Sequence, residues 1–199
     1  MTDLAERRGL DVDVYQPAED SGLLAEATVE GAHGRVLEVG TGSGWVAQQV
    51  RETRDLRVVG SDRNPHAVHE ATERGVEGVV ADLLDPFRAD AFDTICFNPP
   101  YLPTAPDNEW DDWMEHALSG GESGRALIEP FLADVGRVLA PDGDVFLLVS
   151  SLAGYDEVLE LVASAGFTHE VAVEESFPFE TLSVLRLWRS GETVGSSSH

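Results

Sequence analysis

The chain has 199 residues, 42% of them apolar, and a formal net charge of −24. That length suits one domain with a sheet covered on both faces, and it contains no run of about 18 apolar residues for a membrane span. The 13 basic residues, all arginine, face 37 acidic ones, so nucleic acid, whose sequence-independent capture needs clustered Lys and Arg, is not an expected partner.

Cys96 is the single cysteine, which excludes an intramolecular disulfide and a Cys-rich zinc site. The scattered histidines form no metal-ligand spacing with carboxylates, so no metal site is expected. The charged start lacks an apolar signal region, which points to a cytoplasmic protein. The acidity points further, to high cytoplasmic salt, where screening shortens self-repulsion to about 3 Å at 1 M.

In chain order, residues 1–13 read as a loose polar lead-in. Pro17 limits the start of a helix that Asp20 or Ser21 is placed to cap, with Leu23, Leu24 and Ala27 on its apolar face. Arg35–Val39 reads as a buried strand entering the glycine turn Gly40-Thr41-Gly42-Ser43-Gly44, and a helix opens near Trp45. Such a turn brings backbone close to a ligand at a helix N-terminus. A glycine loop alone is a weak signal, and Gly42 to Ala47 also fits a dinucleotide fingerprint. Glu38, just before the loop, suits a cationic portion of a ligand.

Leu56–Asp62 reads as the second strand, and Asp62 lies about 20 residues after the loop, the spacing of a ribose-hydroxyl acceptor. Asn64-Pro65 starts a helix through Glu73. Val76–Ala81 reads as the third strand, followed by Asp82, suited to an adenine amino group, and Leu83, suited to its ring. Three acidic residues, Glu38, Asp62 and Asp82, thus fall at strand tips, the edge where open α/β sheets bind ligands.

The fourth strand, Phe92–Phe97, runs into Asn98-Pro99-Pro100-Tyr101. A proline after Asn98 pushes that residue extended, and two prolines fix two φ angles and remove two donors. The Asn98 amide oxygen and a nearby carbonyl can take both hydrogens of a planar NH2 group, with the Tyr101 ring over its plane. Holding both hydrogens favours a pyramidal nitrogen and aims its lone pair at an electrophile. From this stretch alone, a proline-rich turn without chemistry is an equal alternative. Leu102 to Gly124 is too long for a simple connector, so a functional or mobile loop is expected there. Arg125–Leu139 reads as a helix stopped by Pro141-Asp142-Gly143, Asp144–Ser150 as a fifth strand and Tyr155–Ala165 as a helix. Phe167–Glu174 and Thr181–Trp188 read as a closing antiparallel pair. One domain over residues 1–189 is expected, with a disordered Gly/Ser-rich tail from 190 to 199.

Together, Glu38 through Gly44, Asp62, Asp82 and the Asn98–Tyr101 corner resemble class I S-adenosylmethionine-dependent methyltransferases. Tyr15-Gln16-Pro17-Ala18-Glu19-Asp20-Ser21, the corner, and Gly120-Gly121 with Gly124 more closely resemble the archaeal/eukaryotic branch of the HemK-type release-factor glutamine methyltransferases. The resemblance spans roughly residues 14–188. It implies a Rossmann-like seven-stranded α/β sheet in the order 3-2-1-4-5-7-6, helices on both faces, and an antiparallel last pair. It implies methyl transfer from S-adenosylmethionine to the amide nitrogen (N5) of a glutamine in the Gly-Gly-Gln loop of a peptide-chain release factor. Ser21, Glu38, Gly40, Gly42, Asp62, Asp82, Leu83 and Asn98 would line the donor pocket, and Asn98, Pro99, Pro100 and Tyr101 would hold the substrate amide.

It also implies a heterodimer with a small zinc-binding activator subunit on the third-strand edge, at Val76, Val79 and Val80. Bacterial relatives carry an extra N-terminal helical domain, for which this chain begins too close to its first motif. Ala117-Leu118-Ser119 departs from the family, where a tryptophan tends to precede Gly120. Two alternatives stay open: amino-methylation of a nucleic-acid base, and a non-catalytic cofactor-binding scaffold that stabilises a partner.

Overall fold

The computed structural model describes residues 17–101 and 123–191. Tyr15, Gln16, the loop residues from Leu102 through Gly121 and the tail from 192 lie outside the described residues. Among those described, the order is α1 (Glu19–Gly31), β1 (Arg35–Val39), α2 (Trp45–Arg54), β2 (Arg57–Asp62), α3 (Pro65–Glu73), β3 (Glu77–Val80), β4 (Phe92–Phe97), α4 (Ile128–Val138), β5 (Leu139–Ser150), a 3-10 turn (Ser151–Ala153), α5 (Tyr155–Ser164), β6 (Phe167–Ser176) and β7 (Thr181–Arg189). The strands form one sheet in the order β3-β2-β1-β4-β5-β7-β6, as the resemblance implied. β1 to β5 run parallel, and β7 enters antiparallel between β5 and β6.

The strand sequences explain the layers. Interior parallel strands are buried on both faces and read as continuous apolar runs, as in Val-Leu-Glu-Val of β1 and Ile-Cys-Phe of β4. Successive side chains still alternate between faces. Val36, Cys96, Phe146, Leu148 and Val184 face α1 to α3. Leu37, Val39, Ile95, Phe97, Val145 and Leu147 face α4 and α5, packing with Phe131, Val135, Val158 and Val162. Phe97 meets Phe131 with ring centroids 4.7 Å apart. Where α1 ends, a Cβ on Gly31 would lie 2.5 Å from the Phe146 ring, so helix and sheet approach too closely for a side chain.

Several boundaries differ from those read in the sequence. α1 begins at Glu19, with Ala18 in the capping position and no side-chain capping bond, so neither Asp20 nor Ser21 is the cap. Both are buried inside the first turn. β5 begins at Leu139, because Leu139 already pairs with Phe92; the register then shifts before Thr94 meets Asp144, and Pro141-Asp142-Gly143 falls within that irregular stretch. β3 is only four residues long and excludes Val76. Val76 is instead buried against Val58 and Ala71, so it is no part of an open edge. No helix among the described residues is long and apolar enough to cross a membrane.

Candidate active site

The carboxyl ends of β1, β2, β3 and β4 deliver the glycine loop, Asp62, Asp82 and Asn98 to one edge of the sheet. Gly40, Gly42 and Gly44 all have φ between 51° and 79°, a left-handed region that side chains disfavour. Gly44 carries a second constraint, since a Cβ there would sit 2.6 Å from the Cβ of Ala71 on α3.

Two carboxylates hold this loop. Glu38 Oε2 accepts from the Thr41 hydroxyl at 2.6 Å and from the Ala47 backbone N–H at 3.0 Å. Ala47 lies in the first turn of α2, whose N–H groups lack intrahelical partners, and Gly44 supplies no side-chain cap. Glu38 therefore does the capping from β1. Asp62 Oδ2 accepts from the Gly42 N–H at 3.0 Å, and its Oδ1 accepts from the Asn64 N–H at 2.9 Å. Asn64 in turn caps α3 by accepting from the His66 N–H.

Burial pushes the Glu38 carboxyl up to about 8; its hydrogen bonds with Thr41 and Ala47 oppose this, and the nearby Asp62 adds to it. Asp62 is also raised, by burial first, against N–H donors from Asn64, Gly42 and Arg63. Two carboxyls that resist ionising side by side form a site whose charge a cation would complete. The loop, the carboxyl pair and the helix N-terminus thus suit a ligand with an amino or sulfonium cation and a ribose diol. Cys96, beside Glu38 in the β1–β4 register, is buried with its thiol pushed well up, first by burial and then by Glu38. It is not a thiolate nucleophile.

Further along the edge, Asp82 is exposed and ion-paired with Arg63 at 3.6 Å. Leu83 has φ 48°, a conformation that costs a side-chain-bearing residue about 1–2 kcal/mol, and it packs against the core on the α4–α5 face. Ser21 is buried at the start of α1.

The Asn98 corner closes β4. Pro99 and Tyr101 are buried, and Asn98 and Pro100 are partly so. Asn98 Oδ1 is buried and has no hydrogen-bond partner among the described residues. A buried acceptor left unmatched costs roughly 1–3 kcal/mol, and such an atom asks for an explanation. An incoming N–H donor provides one. The chain returns past this corner at Gly124 (φ 70°), where a Cβ would lie 2.8 Å from the Tyr101 carbonyl oxygen. Arg125 then donates to the Ala153 carbonyl, fixing the returning chain to the end of β5. A cleft beside Tyr101 is lined by Ala18, Glu19, Asp20, Phe177, Glu180 and Leu182. The β6–β7 turn that supplies Phe177 and Glu180 is clamped to β5 by a bond from Ser150 Oγ to Glu180 Oε2 at 2.8 Å.

The chain matches the family described as "Methyltransferase domain" over residues 36–120. A putative protein N5-glutamine methyltransferase of Methanocaldococcus jannaschii is 36% identical over 183 residues, covering 89% of this chain and 92% of that protein. The chain belongs to the HemK family of methyltransferases, in its archaeal/eukaryotic branch. Methyltransferase HEMK2 of Homo sapiens is 31% identical, with 92% of this chain and 93% of that protein covered. Among solved structures, the E. cuniculi Mtq2–Trm112 complex, described as responsible for methylation of the eRF1 translation termination factor, superposes with a TM-score of 0.74 at 30% identity. It covers 90% of this chain and all of that one.

Within this HemK member, the elements bring Glu38, Gly40, Gly42, Asp62, Asp82, Leu83 and Asn98 to one edge, with Ser21 and Tyr101 meeting Asp20 beside it. Sequence reasoning missed the loop-holding task of Glu38 and the meeting of Asp20 with Tyr101. The first left a trace, since a helix opened without a capping side chain; the second, between residues 81 apart, left none.

Proposed function

We propose that this chain transfers a methyl group from S-adenosylmethionine to the side-chain amide nitrogen of a glutamine in the Gly-Gly-Gln loop of a peptide-chain release factor. The observation that carries this reading is the buried Asn98 Oδ1, without a partner among the described residues, in a corner where two consecutive prolines offer no backbone N–H. That oxygen and the Pro99 carbonyl would accept the two hydrogens of the substrate amide. Tyr101 would cover the amide plane, and Pro100 would hold the turn. Ser21, Glu38, Gly40, Gly42, Asp62, Asp82 and Leu83 would hold the donor, with Glu38 on its cationic part and Asp62 on the ribose. S-adenosylmethionine supplies an electrophilic methyl group on a sulfonium. The chain's own contribution is to orient the nitrogen lone pair and to stabilise positive charge developing there.

A protein substrate suits the rim of the cleft. Phe179, 92% exposed at the tip of the clamped β6–β7 turn, and Leu152 after β5 are presented to solvent on the same edge. Exposed, rigidly held aromatics serve as anchors in protein recognition.

The partner in this reading is a small zinc-binding activator subunit on β3, with the working state a cytoplasmic heterodimer at high salt. The two sheet edges differ in a way that favours β3. Edge β6 carries Glu170, Glu174 and Glu175 and a register shift between Val171 and Val173, devices that discourage added strands. Edge β3 is short and starts with exposed Glu77, but its register is regular, with Val79 half-buried and Val80 58% exposed. The test offers tritiated methyl donor, with and without the subunit, to purified release factor, to the same factor with its Gly-Gly-Gln glutamine changed to alanine, and to nucleic acid. Label in the intact factor alone is expected; label in nucleic acid, or equal label in both factors, overturns the reading.

A further inference from the structure

Asp20 belongs to no element of the loop that holds the donor, yet it is one of the most enclosed carboxyl groups described. It is 5% exposed, and the Tyr101 hydroxyl points at its Oδ2 from 3.5 Å while Tyr101 itself is 6% exposed. Its other oxygen is held locally: Oδ1 accepts from the Ser21 N–H at 2.7 Å and lies 3.4 Å from the Ser21 hydroxyl. This division fixes the carboxyl plane and directs Oδ2 at the tyrosine. The base beneath it is firm. Leu23, Leu24 and Ala27 of α1 pack with Cys96, Phe146 and Leu148 of the sheet, and Tyr101 joins that same cluster.

We propose that Asp20 is a positioning residue for methyl transfer: by holding the Tyr101 hydroxyl it fixes the ring that covers the substrate amide. This rests on the reading of the Asn98 corner given above. A tyrosine ring turns on two side-chain torsions. Proline-fixed backbone and the close pass at Gly124 set where Tyr101 begins, and Asp20 sets where its far end stops. Bonds of this kind are often long without substrate and tighten in the reactive complex. Small misplacement near the reacting atoms costs up to about a hundredfold in rate. Asp20 touches no reacting atom; it works through Tyr101, and it links the start of α1, where Ser21 lies, to the substrate corner.

The experiment compares Asp20→Ala, Asp20→Asn, Tyr101→Phe and the double variant Asp20→Ala/Tyr101→Phe, with Asn98→Ala as reference, using tritiated S-adenosylmethionine and purified release factor with the activator subunit present. The expected result is a roughly ten- to hundredfold fall in kcat for Asp20→Ala and for Tyr101→Phe, with donor KM unchanged. The double variant is expected to be no slower than the worse single one, since both remove the contact between Asp20 and Tyr101. Asp20→Asn keeps an oxygen for the Ser21 N–H and a polar group for the tyrosine, and should recover most of the rate. A structural role alone would lower the melting temperature and leave kcat intact below it; that pattern overturns the proposal. If Asp20→Ala does not fold, Tyr101→Phe at full kcat overturns it equally. Asn98→Ala with normal turnover would defeat the corner reading itself, whereas an inactive Asn98→Ala beside fully active Asp20 and Tyr101 variants would defeat only this proposal.

Discussion

Asn98 is both the residue most legible in the sequence and the one most exposed to a decisive experiment. Asn98→Ala removes the unpartnered oxygen and one preorganised hydrogen-bonding group. Losses of about 3–4 kcal/mol of barrier are typical for such groups, or two to three orders of magnitude in kcat. Donor affinity, measured by calorimetry, should change little. Glu38 makes a sharper test because its two duties oppose each other. Its carboxyl, raised from 4.5 to about 8, binds a proton more tightly folded than unfolded. That contribution to stability is fully present below about pH 4.5 and is lost as pH rises through 8. Glu38→Gln keeps an oxygen for Thr41 and Ala47 without the charge. Its melting temperature should therefore gain on the parent between about pH 5 and 8 and level off above that, read by calorimetric melts. The same variant should bind S-adenosylmethionine roughly ten- to hundredfold more weakly, the worth of a charge-assisted contact. A melting difference independent of pH would remove the buried-carboxyl account. These residues were legible because glycine, proline and acidic residues at strand ends leave few alternatives. Asp20 was read as a cap because sequence shows only its neighbours, and Tyr101 reaches it through the fold.

At the scale of elements, runs of apolar residues located the interior parallel strands, since a buried parallel strand has no polar face to blur it. Boundaries were less legible where pairing decides them. Leu139 belongs to β5 because Phe92 lies opposite, a fact absent from its own neighbourhood. Val76 was placed on β3 by its β-branched character, yet it turns into the α2–α3 core before the strand begins. Val80 is the one of the three edge valines that is largely exposed, so it carries the edge prediction. Val80→Ser should leave the melting temperature of the chain alone nearly unchanged, as exposed substitutions do. It should weaken binding of the zinc-containing subunit by about tenfold, reflecting about 1.5 kcal/mol of lost apolar burial. Scanning calorimetry reads the first value and titration calorimetry the second. Unchanged affinity would move the partner to another surface.

For the whole molecule, the absence of lysine has a structural counterpart. Arg35, Arg51, Arg54, Arg125, Arg137 and Arg189 all donate to backbone carbonyls of other segments. Arg54 alone reaches Val29, Glu30 and Ala32 at the end of α1. The guanidinium fork can serve several acceptors at once, which an ammonium does less well. With so many arginines engaged in this way, the net charge of −24 is met mainly by solvent ions. Melting temperature should rise from 0.05 M to 2 M potassium chloride as the Debye length contracts from above 10 Å to below about 3 Å. A flat or falling curve would refute the high-salt adaptation. Composition announced the charge; the arginine clamps were hidden, because their acceptors lie as many as 53 residues away.

The insertion of β7 between β5 and β6 has a consequence for biosynthesis. β6 pairs with β7 and with no other described strand, so it has nothing to join until residues through Arg189 have left the ribosome. During synthesis, at about 5–20 residues per second, the parallel half from β1 to β5 can assemble while β5 still displays a bare hydrogen-bonding edge. The nascent chain is thus most vulnerable to mispairing at that edge, and the vulnerability ends only when the hairpin folds back. A chaperone that waits for β5, or a pause in translation after β6, would act on this interval and nowhere else in the fold.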